Sequence, residues 1–259
     1  MTEQLVTYEL EGDVALIGLD RADKRNAINT LVIAQIREAA FRATEEAKAG
    51  VIFGHGDNFS AGLDLAEAAG WMKPGAPRRR RGQWNRSLDL IARGQIPFVA
   101  ALKGACIGGG LELAAAAHVR VADETTFFAL PEGQRGIFVG GGGSVRLPRL
   151  IGVPRMIDMM LTGRVYSATE GSAYGFSQYL TEAGGALPKA MELAERVASN
   201  APLTNFAELQ ALPMIAEANP QTGLLMESLM ATVAQSDKEA KRRIRAFLDH
   251  KTAKVKPCN

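Results

Sequence analysis

Apolar residues dominate two short N-terminal stretches, Leu5 to Leu10 and Val14 to Leu19, and Glu11-Gly12-Asp13 lies between them. That pattern predicts a β-hairpin. A longer stretch follows in which Leu31, Ile33, Ile36, Ala39 and Ala40 recur at helical spacing. It predicts a helix running through Ala47, capped by Asn29 or Thr30. Val51 to Phe53 and Phe98 to Leu102 are short apolar runs and predict strands, the second just after Pro97. Val119 to Val121 and Thr126 to Phe128 predict two more. A strand-strand-helix rhythm therefore recurs, although the residues do not repeat. From about Ser199 onward the pattern is helical only, and Ser236-Asp237-Lys238-Glu239 reads as a capping box opening the last helix.

The sharpest break in this pattern is Ala105-Cys106-Ile107-Gly108-Gly109-Gly110-Leu111-Glu112-Leu113. Three glycines stop a strand-like segment, and strong helix formers follow at once. The break places free backbone N–H groups at a helix start, with a carboxylate one turn in. Such groups can hold a developing negative charge while Glu112 moves a proton beside them. Glycines before a helix also serve close packing alone, and a first-turn Glu also complements the helix dipole. A second glycine turn, Phe59-Ser60-Ala61-Gly62-Leu63-Asp64-Leu65, also follows an apolar strand. A second carboxylate, Glu132, stands in the Pro-broken loop Ala129-Leu130-Pro131-Glu132. Two donor turns and two carboxylates form a constellation.

Taken in order along the chain, these segments resemble the enoyl-CoA hydratase/isomerase (crotonase) superfamily. The likeness begins at Leu19 to Ile28, which is similar to that family's Arg-Pro-x-x-Lys-x-Asn-Ala-Leu turn. It continues through Phe59–Leu65, Ile107–Leu113, Pro131-Glu132, Gly140–Leu150 and Ala246-Phe247-Leu248. The resemblance implies an α/β fold, the crotonase ββα superhelix or spiral, with a C-terminal helical trimerisation region. It sets a boundary near residue 198, with a core carrying the CoA-binding and catalytic site over 1–198 and a helical oligomerisation region over 199–259. Met214, Leu224, Leu225, Met226, Leu229 and Met230 are candidates for contacts between copies, and packing inside the subunit is the alternative for each. A homotrimer or dimer of trimers is expected.

By position, the resemblance assigns the oxyanion hole to the backbone N–H groups of Leu63 and Gly109, and catalysis to Glu112 and Glu132. Hydratases of this family generally keep both carboxylates, whereas many isomerases keep one. Hydration of a 2-enoyl-CoA is therefore expected, with Glu112 activating water and Glu132 protonating the α-carbon. Isomerisation, aldol-type cleavage or thioester hydrolysis of an acyl-CoA is the nearest rival. Gly140 to Gly143 match the family's glycine-rich turn and are expected to let the backbone wrap close to the Glu132 loop. They lack the Lys-Ser/Thr ending of a nucleotide-hydrolysing phosphate loop. The resemblance places acyl-CoA contacts at Lys24, Arg25, Ala27, Ala61, Asp64, Leu65 and Phe247. It often carries Lys three positions after that aromatic, where this chain has His250 and then Lys251. Gly133-Gln134-Arg135 departs from the aliphatic residues common in short-chain hydratases.

Bulk properties narrow the alternatives. The chain has 259 residues, 47% hydrophobic and 22% charged, which is ordinary globular composition. A net charge of +2 demands neither a nucleic-acid nor a membrane partner. Two cysteines, Cys106 and Cys258, indicate no disulfide framework, and no signal peptide or membrane span is read from the sequence, so a cytoplasmic protein is expected. No metal-ligand spacing and no Gly-x-Ser-x-Gly elbow occurs, and no cofactor is expected beyond the coenzyme A of the substrate. Arg78-Arg79-Arg80-Arg81 opens a segment expected to face solvent or CoA phosphates, and the resemblance implies that the same segment, including Trp71, Met72 and Leu88, lines the acyl pocket. RNA binding by that arginine run with help from Trp84 is the rival from a different class.

Overall fold

The computed structural model describes residues 3–71 and 81–251, apart from the side chains of residues 71, 81 and 82. Arg78 to Arg80, Met72 and Cys258 lie outside the described residues, as do the side chains of Trp71 and Arg81. The chain divides into two compact units, 1–198 and 199–259.

The first unit is built on the predicted hairpin, β1 (Val6–Glu11) and β2 (Val14–Leu19). β3 (Ala49–Gly54), β4 (Phe98–Leu102), β6 (Val119–Asp123) and β9 (Tyr179–Thr181) extend it in parallel, giving the order β1-β2-β3-β4-β6-β9. Side chains alternate across this sheet, so each face buries its own set. Val14, Leu16, Val51, Val99, Ala101 and Val121 pack under α8 (Ala186–Ala198). Ala15, Ile17, Leu19, Ile52, Ala100 and Leu102 face the opposite way. They pack with α1 (Thr30–Glu46) and with Leu88 and Ile91 of α3 (Arg81–Ala92). Asn29 caps α1 by accepting from the Val32 N–H at 2.8 Å. The buried stripe of α1 is Val32, Ile33, Ile36, Ala39, Ala40 and Ala43, so Leu31 sits at its margin.

A smaller sheet stands apart, with β5 (Ala105–Ile107) between β7 (Phe127–Ala129) and the chain at Ser60, and β8 (Val165–Ser167) beyond β7. Single bridges pair Ser60 with Cys106 and Leu63 with Ile28. The segment 58–64 is thereby laced between β5 on one side and the early turn on the other. The Ser60 N–H donates to Ala105 O at 2.8 Å, the Ile107 N–H to Ser60 O at 3.0 Å, and the Ala61 N–H to Arg25 O at 2.8 Å. Asp64 then begins α2 (Leu65–Trp71), accepting from the N–H groups of Ala66 and Glu67.

Asn26 fastens the early turn. It is 2% exposed and lies at φ 54°. Its Oδ1 accepts from the Arg21 N–H at 2.9 Å, and its Nδ2 donates to His55 O at 2.9 Å and to Asn58 O at 2.7 Å. Ser60 Oγ donates to Asn26 O at 2.7 Å and accepts from the Gly62 N–H at 3.1 Å.

β7 leads through a loop and a 3-10 turn at Gly133–Arg135 into α5 (Gly143–Ile151) and α6 (Val153–Thr162). α7 (Ala168–Tyr174) starts with a capping box of Ser167 and Glu170, a signature present in the sequence but not singled out there. The second unit holds α9 (Pro202–Glu217), α10 (Pro220–Ser236) and α11 (Lys238–Leu248). α4 (Gly109–Ala114) belongs to the site described below. The predicted capping box at Ser236 is corrected in one respect. Ser236 is the last residue of α10, and Asp237 caps α11 by accepting from the Glu239 and Ala240 N–H groups. Glu239 pairs instead with Arg242 and Arg243, one turn on. Met214, Leu224, Leu225 and Leu229 are exposed, and Met226 and Met230 are half-buried. Among the described residues, no helix is long and apolar enough to cross a membrane.

Asn26→Ala would strip three hydrogen bonds and leave buried partners unpaired at a left-handed backbone position. The expected cost is about 2–4 kcal/mol, read as a lowered urea midpoint at unchanged slope.

Candidate active site

The site is assembled at the break between β5 and α4. Gly108 adopts φ 52° and ψ −121°, donates its N–H to Ala129 O at 2.9 Å, and turns the chain into α4. A Cβ on Gly108 would lie 2.7 Å from Glu132 Oε1, so glycine serves both the backbone angle and the approach of that carboxyl. One residue further, a Cβ on Gly109 would lie 3.4 Å from Leu63 N and 2.7 Å from Cζ3 of Trp84. The two predicted donor residues are therefore neighbours, with the Trp84 ring of α3 against them. Among the described residues, neither the Leu63 nor the Gly109 N–H has a hydrogen-bond partner. Trp84 is 8% exposed, so its ring is taken up by this contact and is not free to stack on an RNA base.

Glu112 sits in the first turn of α4 and is 3% exposed. Its Oε1 accepts from the Gly141 N–H at 2.7 Å and from the Gly143 N–H at 2.8 Å, and its Oε2 from the Gly140 N–H at 3.4 Å. Gly143 is the first residue of α5, so the carboxyl lies at a helix N-terminus. A Cβ on Gly143 would stand 2.8 Å from Glu112 Cγ, and one on Gly141 3.2 Å from Glu112 Cδ. This corrects the expectation for the tetraglycine run. Its glycines let the backbone wrap around Glu112, not around the Glu132 loop. Burial raises the Glu112 pKa above the usual carboxylate range, and the three glycine N–H groups and the Arg146 charge oppose that rise.

Glu132 is the counterpart without such a cradle. It is 7% exposed, and its Oε2 is buried with no hydrogen-bond partner among the described residues. Burial pushes its pKa up to about 7. Its own backbone N–H and Arg135 oppose the rise, and the Glu112 charge adds to it. Two carboxyls that feel one another thus differ in kind: one is held by peptide N–H groups, and the other is half-free and readily protonated.

The predicted acyl-CoA contacts fall into groups. Lys24 and Arg25 are exposed and form no ion pair among the described residues. Ala27 and Ala61 are half-buried and line the early turn through their backbones: Ala27 O accepts from Arg21 Nη1 at 2.7 Å, and the Ala61 N–H is bonded to Arg25 O. Asp64 is turned to structural use, its carboxylate 3.1 Å from Arg21 Nη1 and capping α2. Leu65, 43% exposed, opens α2, and Phe247 is exposed on α11 of the second unit. The sequence reading passed over Asn26, Ser60 and Arg146, although each lies in a quoted motif. Only Ser60, a polar residue inside an apolar turn, gave a local signal.

The raised pKa of Glu132 has a consequence for stability. From an ordinary value of 4.5 to about 7 in the folded protein, its contribution is fully present below about pH 4.5. It is lost as pH rises through about 7. Glu132→Gln removes that loss, so its advantage over wild type in chemical denaturation should grow across this window and level off above it. A difference that stays constant from pH 4.5 to 8 would contradict the assignment.

Comparisons with known proteins identify the family and the fold. The enoyl-CoA hydratase/isomerase family model matches residues 9–256. A Rhizobium meliloti protein provisionally named an enoyl-CoA hydratase is 30% identical over 259 residues, covering 99% of each chain. A solved structure from Rhodopseudomonas palustris, also provisionally named an enoyl-CoA hydratase, is 62% identical with a TM-score of 0.90 over 97% of each chain. An enoyl-CoA hydratase structure from Bacillus anthracis is 29% identical with a TM-score of 0.89, covering 95% of this chain and 97% of that one. The architecture is the crotonase spiral with C-terminal helices that the sequence led us to expect, and the chain belongs to the enoyl-CoA hydratase/isomerase family.

Proposed function

We propose that this protein is an enoyl-CoA hydratase, adding water across the 2,3 double bond of an enoyl-CoA thioester. The observation that carries the reading is the pair of unlike carboxyls, Glu112 cradled by three N–H groups and Glu132 with an unpartnered oxygen. The thioester carbonyl accepts hydrogen bonds from the Leu63 and Gly109 N–H groups. Glu112 takes a proton from water as the water oxygen bonds to the β-carbon. The π electrons move toward the carbonyl oxygen, where the two N–H groups hold the enolate. Glu132 then gives its proton to the α-carbon, and the roles exchange in dehydration. Two carboxyls on one water make syn addition reasonable. An oxyanion donor of this kind is worth on the order of 3–4 kcal/mol in the transition state. The step needs no cofactor beyond the coenzyme A of the substrate.

Lys24, Arg25, Ala27, Ala61, Asp64, Leu65 and Phe247 are proposed to contact the acyl-CoA. The exposed cations Lys24 and Arg25 suit its phosphates. Asp64 contributes by fixing the Leu63 turn through Arg21. The apolar side chains left exposed on α9 and α10 support association into a homotrimer or a dimer of trimers. Sedimentation of wild type should give one of these masses, and a monomer would refute that part.

Loss of the conjugated enoyl-thioester absorbance tests the chemistry against short, long, branched and aromatic enoyl-CoAs. Wild type should hydrate one class, and Glu112→Gln or Glu132→Gln should slow it by about a hundredfold or more. Wild type that binds CoA thioesters but leaves every enoyl-CoA unchanged would sink the proposal. Because Glu132 must start protonated, kcat/KM for hydration should fall as pH rises through about 7, and the reverse reaction should gain over the same range.

A further inference from the structure

The glycine turn that cradles Glu112 is itself held from two sides. Arg146 of α5 donates from Nη1 to Gly141 O at 2.8 Å and from Nη2 to Asp89 Oδ1 of α3 at 2.6 Å. Its side chain is 14% exposed and that of Asp89 is 52% exposed. Gly141 therefore has its carbonyl fixed by a guanidinium while its N–H donates to Glu112 at 2.7 Å. Leu88, next to Asp89, braces the same residue: a Cβ on Gly141 would stand 3.1 Å from Leu88 Cδ1. A planar guanidinium can satisfy two acceptors at a fixed angle, which an ammonium cannot. Among the described residues, the charged groups around Glu112 are Arg146 from α5, Glu132 from the loop after β7 and, beyond Arg146, Asp89 from α3.

We propose that Arg146 is a positioning residue for Glu112, a fork between Asp89 and Gly141 that fixes the glycine turn and so aims the carboxylate. The inference rests on Glu112 acting as the base. It goes beyond that reading by assigning the geometry of the base to a residue one helix away. Loss of the fork lets the Gly140–Gly143 turn relax, and the three N–H groups no longer converge on the carboxyl. Loss of its positive charge also makes the ionised carboxylate costlier, because the Arg146 charge acts to hold the Glu112 pKa down.

The test compares Arg146→Met, Arg146→Lys and Asp89→Asn with wild type. The readouts are kcat, KM, the pH profile of kcat/KM, the melting temperature and a carbon-13 NMR titration of the Glu112 carboxyl, assigned by its loss in Glu112→Gln. In Arg146→Met, kcat should fall roughly tenfold or more with KM little changed, because the base is misplaced while binding is intact. The acid limb should move to higher pH, since a base that is harder to ionise works only at higher pH. Arg146→Lys keeps the charge and should return the limb toward wild type while recovering kcat only in part. Asp89→Asn, which loosens the fork while leaving the Arg146 charge in place, should lower kcat in the same direction as Arg146→Met, more weakly. Unchanged kcat and acid limb in Arg146→Met would overturn the proposal. So would an equal loss at every pH that tracks a loss of folded protein. If Arg146→Met does not fold, Asp89→Asn with wild-type kcat and pH profile overturns it instead. If wild type hydrates no enoyl-CoA, the base reading fails separately, and an unchanged Glu112 titration in the Arg146 variants then overturns the clamp by itself.

Discussion

Burying a carboxylate is costly unless its charge meets hydrogen-bond donors. Glu112 is buried on a short helix, and among the described residues its hydrogen-bond donors are backbone N–H groups, while the Arg146 charge acts on it without a hydrogen bond. Peptide N–H groups supply the donors, and they can converge on one carboxyl only where side chains do not intervene. That constraint accounts for Gly141 and Gly143, where a Cβ would crowd Glu112. It also accounts for the start of α5 at Gly143, where the helix presents unpaired N–H groups. α3 and α5 must then hold the turn in place, which they do through Leu88, Asp89 and Arg146.

The same use of backbone donors recurs at the other end of the site. Among the described residues, the Leu63 and Gly109 N–H groups are left unpaired, each one position after a glycine of positive φ, Gly62 and Gly108. A side-chain donor would bring its own flexibility, whereas a peptide held on both sides costs no reorganisation when charge develops. The holding is done by Asn26, Ser60, Arg21 and Asp64. Fold and function meet in this network. The hydrogen bonds that close the early turn onto the segment 58–64 are those that place the Leu63 N–H, the first of the two proposed donors. Glu132 marks the contrast. Its unpartnered oxygen is tolerated because a protonated carboxyl is cheap to bury, and a carboxyl poised near neutrality is what proton transfer requires.

Much of this could be read from the chain. The hairpin, the Asn29 cap and the strand at Phe98–Leu102 depend on residues within a few positions of one another. So does the glycine break before Glu112. Periodicity and capping are local rules, and local rules are visible in one sequence. Where the local reading slipped, at Ser236, a neighbouring acidic side chain offered the same cap one position on.

What the sequence by itself determined, then, is the order of elements, the two glycine turns and the two carboxylates. Which partner each acquires was decided only by tertiary structure. Nothing within a few residues of Gly141 says that it will cradle a carboxyl 29 positions earlier, not the nearer Glu132. Nor does the vicinity of Asp64 reveal Arg21, 43 positions away, or that of Trp84 its seat against Gly109. These pairings arise where chain crossings bring remote segments within hydrogen-bond or van der Waals reach. The physical reason is that a short helical or extended stretch fixes its own backbone, while burial and electrostatics are properties of everything packed around a group.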